Sequence, residues 1–228
     1  MELFLIDGIG PFFRGYNKRR INWSKIPFHR FSEDREKFRE QFVQIAKDMD
    51  IFAAKVKNVG YNAVSLDDVA HLAQDEWHDQ HINMRIVNFV EQYQVLFSIL
   101  QAHGLEIYLT MDILTYSPKL RSMIAGSKRK GFQFIQRQIN KVFSLFPEVK
   151  GIIFRIGECD GTDVKGDFVS ELFLKTPRDV NHMLKILLPL FEQYQRFLIL
   201  RNWTVGAYRI GDFIWHRRTT EQVLRGIR

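Results

Sequence analysis

The segment Gly151-Ile152-Ile153-Phe154-Arg155 decides the fold of this 228-residue chain. It is a short run of β-branched and aromatic residues that follows a glycine, and such a run is typical of a buried β-strand. Similar runs recur at regular intervals on both sides of it. We predict strands at residues 21–26 (the weakest run), 61–66, 105–110, 151–156 and 197–202.

Between these runs the apolar residues change to a helical spacing. Phe42, Ile45 and Met49 are three and four residues apart, as expected for one face of an amphipathic helix. Thr176-Pro177 has the pattern of an N-cap followed by proline in the first helical position. We predict helices at residues 33–58, 85–103, 128–146 and 177–195.

Strict alternation of strands and helices predicts a parallel sheet, either as an open doubly wound sheet or as a (β/α) barrel. Polar residues after the strands favour the barrel, and no GxGxxG loop follows the first strand. Each strand–helix unit takes about 45 residues, so the chain holds about five units, whereas a complete barrel has eight. We therefore predict an α/β fold with an incomplete (β/α) barrel-like parallel sheet. It would form a single domain over residues 1–228, either as the N-terminal part of a longer barrel or as a barrel closed by something else.

Composition excludes several classes of protein. A hydrophobic fraction of 46% and a charged fraction of 26% are ordinary for a soluble globular chain. No apolar run approaches the length of a membrane span, and the N-terminus lacks the basic region of a signal peptide. The net charge of +7 is scattered over short groups without a nucleic-acid-binding motif, so we expect no nucleic-acid partner. The single cysteine, Cys159, allows no intrachain disulfide, and we expect a cytoplasmic protein.

Carboxylate and aromatic side chains follow the predicted strands, and parallel strands bring their carboxyl ends to one edge of the sheet. Glu158 comes just after the 151–156 strand and is our candidate general acid for glycoside hydrolysis, which needs one protonated and one second carboxyl group. The competing interpretation is a loop carboxylate that caps the next element or pairs with Arg155. The candidate substrate-binding residues are Asp67, Asp68, Asp112, Asp160, Asn202 and Trp203, although aspartates at these places also commonly cap helices.

The sequence from 104 to 112 and from 151 to 161 resembles the central barrel of the α-glucuronidase-like glycoside hydrolases. The resemblance covers roughly residues 60 to 205 and places that family's general acid on Glu158. This chain differs in having Cys159-Asp160 after the glutamate. The family's general base comes from strands beyond the fifth, so the resemblance implies weak or absent activity for this chain alone.

These observations predict a glycoside hydrolase-like protein that acts on or binds a carbohydrate. The alternative is a non-catalytic or truncated barrel that binds a sugar or a protein partner. A phosphate-handling barrel is a third class, which would need an anion site after later strands.

We expect no cofactor and no metal. His71, His78 and His81 lie among acidic residues, but their spacing matches no HExxH or EF-hand template. Trp23, Trp77 and Trp203 could provide stacking surfaces for a sugar, although large aromatic side chains are more often packed.

Five units leave two unpaired strand edges. Such edges promote association, so we expect either self-association or binding of a partner over the open edges, or a truncated chain.

Overall fold

The computed structural model describes residues 2–14, 25–160, 164–201 and 217–227. Its strands are β1 (Leu5–Asp7), β2 (Ala63–Leu66), β3 (Glu106–Asp112), β4 (Thr115–Tyr116), β5 (Val149–Arg155), β6 (Val169–Ser170) and β7 (Phe197–Arg201). Its helices are α1 (Arg35–Asn58), α2 (Gln80–Ala102), α3 (Pro118–Ile124), α4 (Lys128–Leu145), α5 (Pro177–Tyr194) and α6 (Arg217–Leu224).

Five of the strands form one parallel sheet in the order β1-β2-β3-β5-β7. The prediction of an α/β fold with a parallel sheet is therefore confirmed. Each strand lies beside the next large-sheet strand in chain order, whereas a doubly wound sheet reverses its order at a switch point. This arrangement is consistent with part of a (β/α) barrel. Within the described part of the chain β1 and β7 do not pair, so the sheet there is open.

The two faces of the sheet differ because successive side chains of a strand point in opposite directions. On one face, Val64, Leu109 and Ile152 join the main hydrophobic core, which also contains the buried residues of α1, α2, α4 and α5. On the other face, Ala63, Tyr108 and Ile153 form a small separate cluster. Further along the same strands the second face becomes polar, and this region forms the candidate site.

The glycine that opens the quoted segment has a packing role. A Cβ at Gly151 would lie 2.5 Å from the carbonyl oxygen of Phe197 and 3.0 Å from the Tyr108 ring. Glycine therefore allows β5 to approach its neighbours at this point, where a larger residue would push β7 away.

The first predicted strand is wrong in the part that the structure describes. Lys25 and Ile26 belong to an irregular segment, while residues 21–24 lie outside the described ranges. The first strand is instead the three-residue β1, which obtains its hydrogen bonds from β2, far away in the sequence. Local apolar content cannot reveal such a short strand.

The other predicted elements are present with shifted ends. Helix α2 begins at Gln80 rather than 85, and α1 is capped by the Asp34 side chain, which accepts a hydrogen bond from the Lys37 amide. Helix α5 has the expected Thr176 N-cap, followed by Pro177 at the start of the helix. Helix α3 and the antiparallel pair of β4 and β6 were not predicted. No helix in the described ranges has the length and apolar character needed to span a membrane.

Candidate functional site

A cavity of about 60 Å³ lies at the carboxyl ends of β2, β3 and β5. Three sequence-predicted residues after or at the ends of these strands line it, namely Asp67, Asp68 and Asp112, and so does Asp160. The parallel sheet therefore brings four of the predicted substrate-binding residues together. The rest of the lining includes Lys25, Ile26, Phe28, His29, His71, Arg85, Thr115, Arg155 and residues 164–168.

Arg155, the last residue of β5, is the centre of the ionic network. Its side chain is 2% exposed and forms ion pairs with Asp67 and Asp112, and it donates a hydrogen bond of 2.7 Å to Thr110 Oγ1. Burial disfavours the charged guanidinium, but the two carboxylates outweigh burial and raise the pKa of Arg155. Because alternate residues share a face, Asp67, Thr110, Asp112 and Arg155 all point to the polar side of the sheet.

Lys25 connects the segment before α1 to the site. Its ammonium group forms ion pairs with Asp112 and, at 3.0 Å, with Asp160, and it lies 3.4 Å from Ser170 Oγ. The Ile26 amide donates to Asp67 Oδ2 at 2.6 Å. These contacts hold the segment that begins at Lys25 across the strand ends.

Asp112 is an ionised carboxylate in this network. Burial would raise its pKa, but Lys25 and Arg155 outweigh burial and hold the pKa of Asp112 below its usual value. Ser170 Oγ also donates to Asp112 Oδ2.

Asp68 differs from its neighbours. Its Oδ1 accepts a hydrogen bond of 2.9 Å from the Ala70 amide, and its Oδ2 lies 3.5 Å from the Asp112 amide. The residue is 7% exposed, and burial together with the negative charge of Asp112 raises the pKa of Asp68 to about 8. The peptide bond between Asp67 and Asp68 is cis.

Glu158, three residues beyond β5, faces Arg201 at the end of β7. The Arg201 Nε atom lies 3.0 Å from Glu158 Oε1, and the two side chains are 26% and 11% exposed. Burial raises the pKa of Glu158, although Arg201 and Arg155 act in the opposite direction. Glu158 does not belong to the described lining of the 60 Å³ cavity, whereas Asp160 does.

An aromatic pair forms another part of the cavity wall. The His71 ring stacks on Phe28 with a centroid distance of 3.7 Å and an interplanar angle of 8°, and Phe168 meets His71 edge to face. Burial lowers the pKa of His71 well below its usual value, so this imidazole is neutral at pH 7.

The remaining predicted residues are placed elsewhere or are not described. Asn202, Trp203 and Trp23 lie outside the described residues. Trp77 packs against Phe134, with stacked rings 6.3 Å apart, and against the Arg137 guanidinium, 4.2 Å from the Trp77 ring centre. His78 is buried and His81 pairs with Asp167. In the described ranges no group of three or more His, Cys, Asp or Glu side chains could hold a metal ion.

The two cations that pair with the predicted aspartates were missed by reasoning from the sequence. Arg155 had a usable signal, because an arginine inside an apolar strand is rarely buried without carboxylate partners. Lys25 had no such signal, since its partners are 87 and 135 positions away.

Comparison with known proteins leaves the family open: no protein-family model matches this chain, and no curated protein matches it at a significant level.

Proposed function

We propose that this chain is a glycoside hydrolase-like protein in which Glu158 is the general acid. The observation that carries this proposal is the environment of Glu158 at the carboxyl edge of a parallel sheet. A partly buried carboxyl group with a raised pKa retains its proton nearer to neutral pH, as a general acid must.

The reaction needs two carboxyl groups. Glu158 would give its proton to the leaving oxygen as the glycosidic bond breaks, and a second carboxylate would take a proton from the attacking water or attack the sugar directly. Of the three carboxylates paired with Lys25 or Arg155, Asp160 is the most exposed, with 14% of its side chain accessible. Asp160 is therefore the proposed second carboxylate.

The sugar would be bound through hydrogen bonds and an apolar contact. Asp68 and Asp160 would form hydrogen bonds with sugar hydroxyl groups, and the stacked Phe28 and His71 rings would provide an apolar wall. The resemblance to the α-glucuronidase-like glycoside hydrolases guides the choice of substrates to be tested.

The test is hydrolysis by the wild-type chain and by Glu158→Gln, which keeps the size of the side chain and removes the acidic proton. A panel of 4-nitrophenyl glycosides is compared with disaccharides of the same sugars. A nitrophenolate leaves without protonation, so Glu158→Gln should lose about 100-fold or more on disaccharides and much less on nitrophenyl glycosides.

Glu171→Gln is the matched control, because Glu171 is exposed and pairs with Arg121 outside the cavity. It should hydrolyse both substrate types at the wild-type rate. Equal rates of wild type and Glu158→Gln on disaccharides would show that Glu158 is not the acid.

A second candidate function, sugar binding without turnover, is favoured by one observation. Lys25 forms ion pairs with both Asp112 and Asp160, so neither carboxylate is free to act as a base or nucleophile. Calorimetric binding of a disaccharide that the wild-type chain does not cleave would support this second function.

A further inference from the structure

The charges around the cavity are unequal. The described lining contains five carboxyl groups and four basic groups: Asp67, Asp68, Asp112, Asp160 and Asp167 on one side, and Lys25, Arg85, Arg155 and Lys165 on the other. His29 and His71 also line it, and burial lowers the pKa of both imidazoles, so they add no positive charge at pH 7.

Among the described residues, the two cations of the network form ion pairs with the aspartates around Asp68 and not with Asp68 itself. Arg155 pairs with Asp67 and Asp112, and Lys25 pairs with Asp112 and Asp160. In the described part of the chain Asp68 forms no ion pair, and its oxygen atoms contact only two backbone amides. A buried carboxylate without a cation is costly, and the charge of Asp112 beside it adds repulsion.

We propose that Asp68 carries a proton at neutral pH and is the neutral hydrogen-bond donor of the cavity. The proton belongs on Oδ2, because Oδ1 accepts the shorter hydrogen bond, from the Ala70 amide. With Asp68 neutral, the described residues of the lining hold four remaining carboxyl groups and four basic groups.

The pKa of about 8 agrees with this geometry. The charged groups that act on Asp68 are Asp67 beside it, Asp112 on β3 and Arg155 on β5, and only Arg155 favours the ionised form. The remaining charged and titratable groups of the lining are Lys25, His29, His71, Arg85, Asp160, Lys165 and Asp167.

A neutral carboxylic acid donates to a hydroxyl or ether oxygen and does not attract a cation. Asp68 is therefore suited to bind a hydroxyl or ether oxygen of an oxygen-rich ligand such as a sugar. This assignment of the ligand class rests on the proposed function, whereas the proton on Asp68 is a property of the chain and is tested without a ligand.

Infrared difference spectroscopy tests the proton directly, because the carbonyl stretch of a carboxylic acid is separate from the bands of a carboxylate. The wild-type chain at pH 6.5 should show an acid band that Asp68→Asn lacks. The band should disappear on raising the pH to 9.5, with a midpoint near pH 8. Glu158→Gln is the control, since a band lost in that variant belongs to Glu158.

Urea unfolding provides a second measurement. The folded state favours protonated Asp68, so this preference stabilises the wild type fully at low pH and is lost as the pH rises to about 8. The midpoint urea concentration of Asp68→Asn should therefore increase relative to wild type between about pH 4 and pH 8 and then change no further.

The proposal is overturned if the wild type has no acid band, or if Asp68→Asn keeps the whole band. If the acid band behaves as expected but the chain cleaves no glycoside, the proton on Asp68 stands and the hydrolase function is rejected.

Discussion

Two ion pairs lie three residues apart at the end of β5, and their surroundings differ. Arg155 and Asp67 are each 2% exposed, whereas Arg201 and Glu158 are 26% and 11% exposed. In the first pair the neighbouring carboxylates outweigh burial and raise the pKa of the Arg155 guanidinium. In the second pair burial prevails over the cation, and the pKa of Glu158 is raised.

This difference suggests that the first ion pair stabilises the fold, whereas the second could take part in a reaction. The Arg155 network links β2, β3 and β5, and its charges compensate one another because Asp67 and Asp112 both face the guanidinium. The Glu158 pair is nearer to solvent and can change its protonation state at lower cost. A reacting proton is therefore better placed on Glu158 than on Asp112.

The largest effect is expected from Arg155→Met, which removes the guanidinium and leaves Asp67 and Asp112 with less compensation. We expect the free energy of unfolding at pH 7 to fall by about 3–5 kcal/mol, the usual cost of breaking a buried pair. Urea denaturation followed by circular dichroism measures it. Arg121→Met is the control, since Arg121 and Glu171 are about half exposed and their pair should contribute about 1 kcal/mol or less. Equal losses of unfolding free energy in the two variants would contradict the distinction between the buried and the exposed ion pair.

A smaller effect is expected from Lys25→Met. The Lys25 side chain is 11% exposed, and Asp112 keeps Arg155 and Ser170 as partners after the substitution. The expected loss is about 1–3 kcal/mol by the same urea measurement, as for removal of one partner of a buried polar group. A loss as large as that of Arg155→Met would place Lys25 at the centre of the network instead.

The smallest effect and the sharpest contrast concern pH. The lowered pKa of Asp112 means that its charge stabilises the fold at neutral pH, and this contribution is lost as the pH falls through the folded-state value. The raised pKa of Glu158 has the opposite sign, so its protonated form stabilises the fold at low pH and this contribution is lost as the pH rises.

Urea unfolding of Asp112→Asn and Glu158→Gln between pH 3 and pH 8 measures both trends. Asp112→Asn should be less stable than the wild type at neutral pH, and this difference in the free energy of unfolding should become smaller towards low pH. The free energy of unfolding of Glu158→Gln should rise relative to that of the wild type towards high pH, by about 1 kcal/mol or less over the whole range. Trends of the same sign in both variants would refute the contrast between the two pairs.

Much of the fold follows from local patterns in the sequence. Helices α4 and α5 begin at the predicted residues because a capping residue and a regular apolar spacing lie within the helix itself. Strand β1 was missed because three residues carry too little pattern, and only pairing with β2 makes them a strand.

The candidate site divides in the same way. The position of Asp67, Asp68 and Asp112 at strand ends was predictable, because parallel strands end on one side. Their different ion pairing was not predictable, since three aspartates look alike in a sequence. Arg155 and Lys25 distinguish them, and both act across long separations in the chain.

The sequence by itself determined the alternation of strands and helices, the parallel sheet and the edge at which the carboxyl groups gather. All three depend on residue spacing within short segments. Only the tertiary structure decided which carboxyl groups pair with Lys25 or Arg155 and at which one, Asp68, the pKa is raised instead. Arg155 reaches Asp67 across 88 positions and Lys25 reaches Asp160 across 135. Such pairings depend on sheet register and burial, because the free energy of a charge is set by the groups that surround it in space.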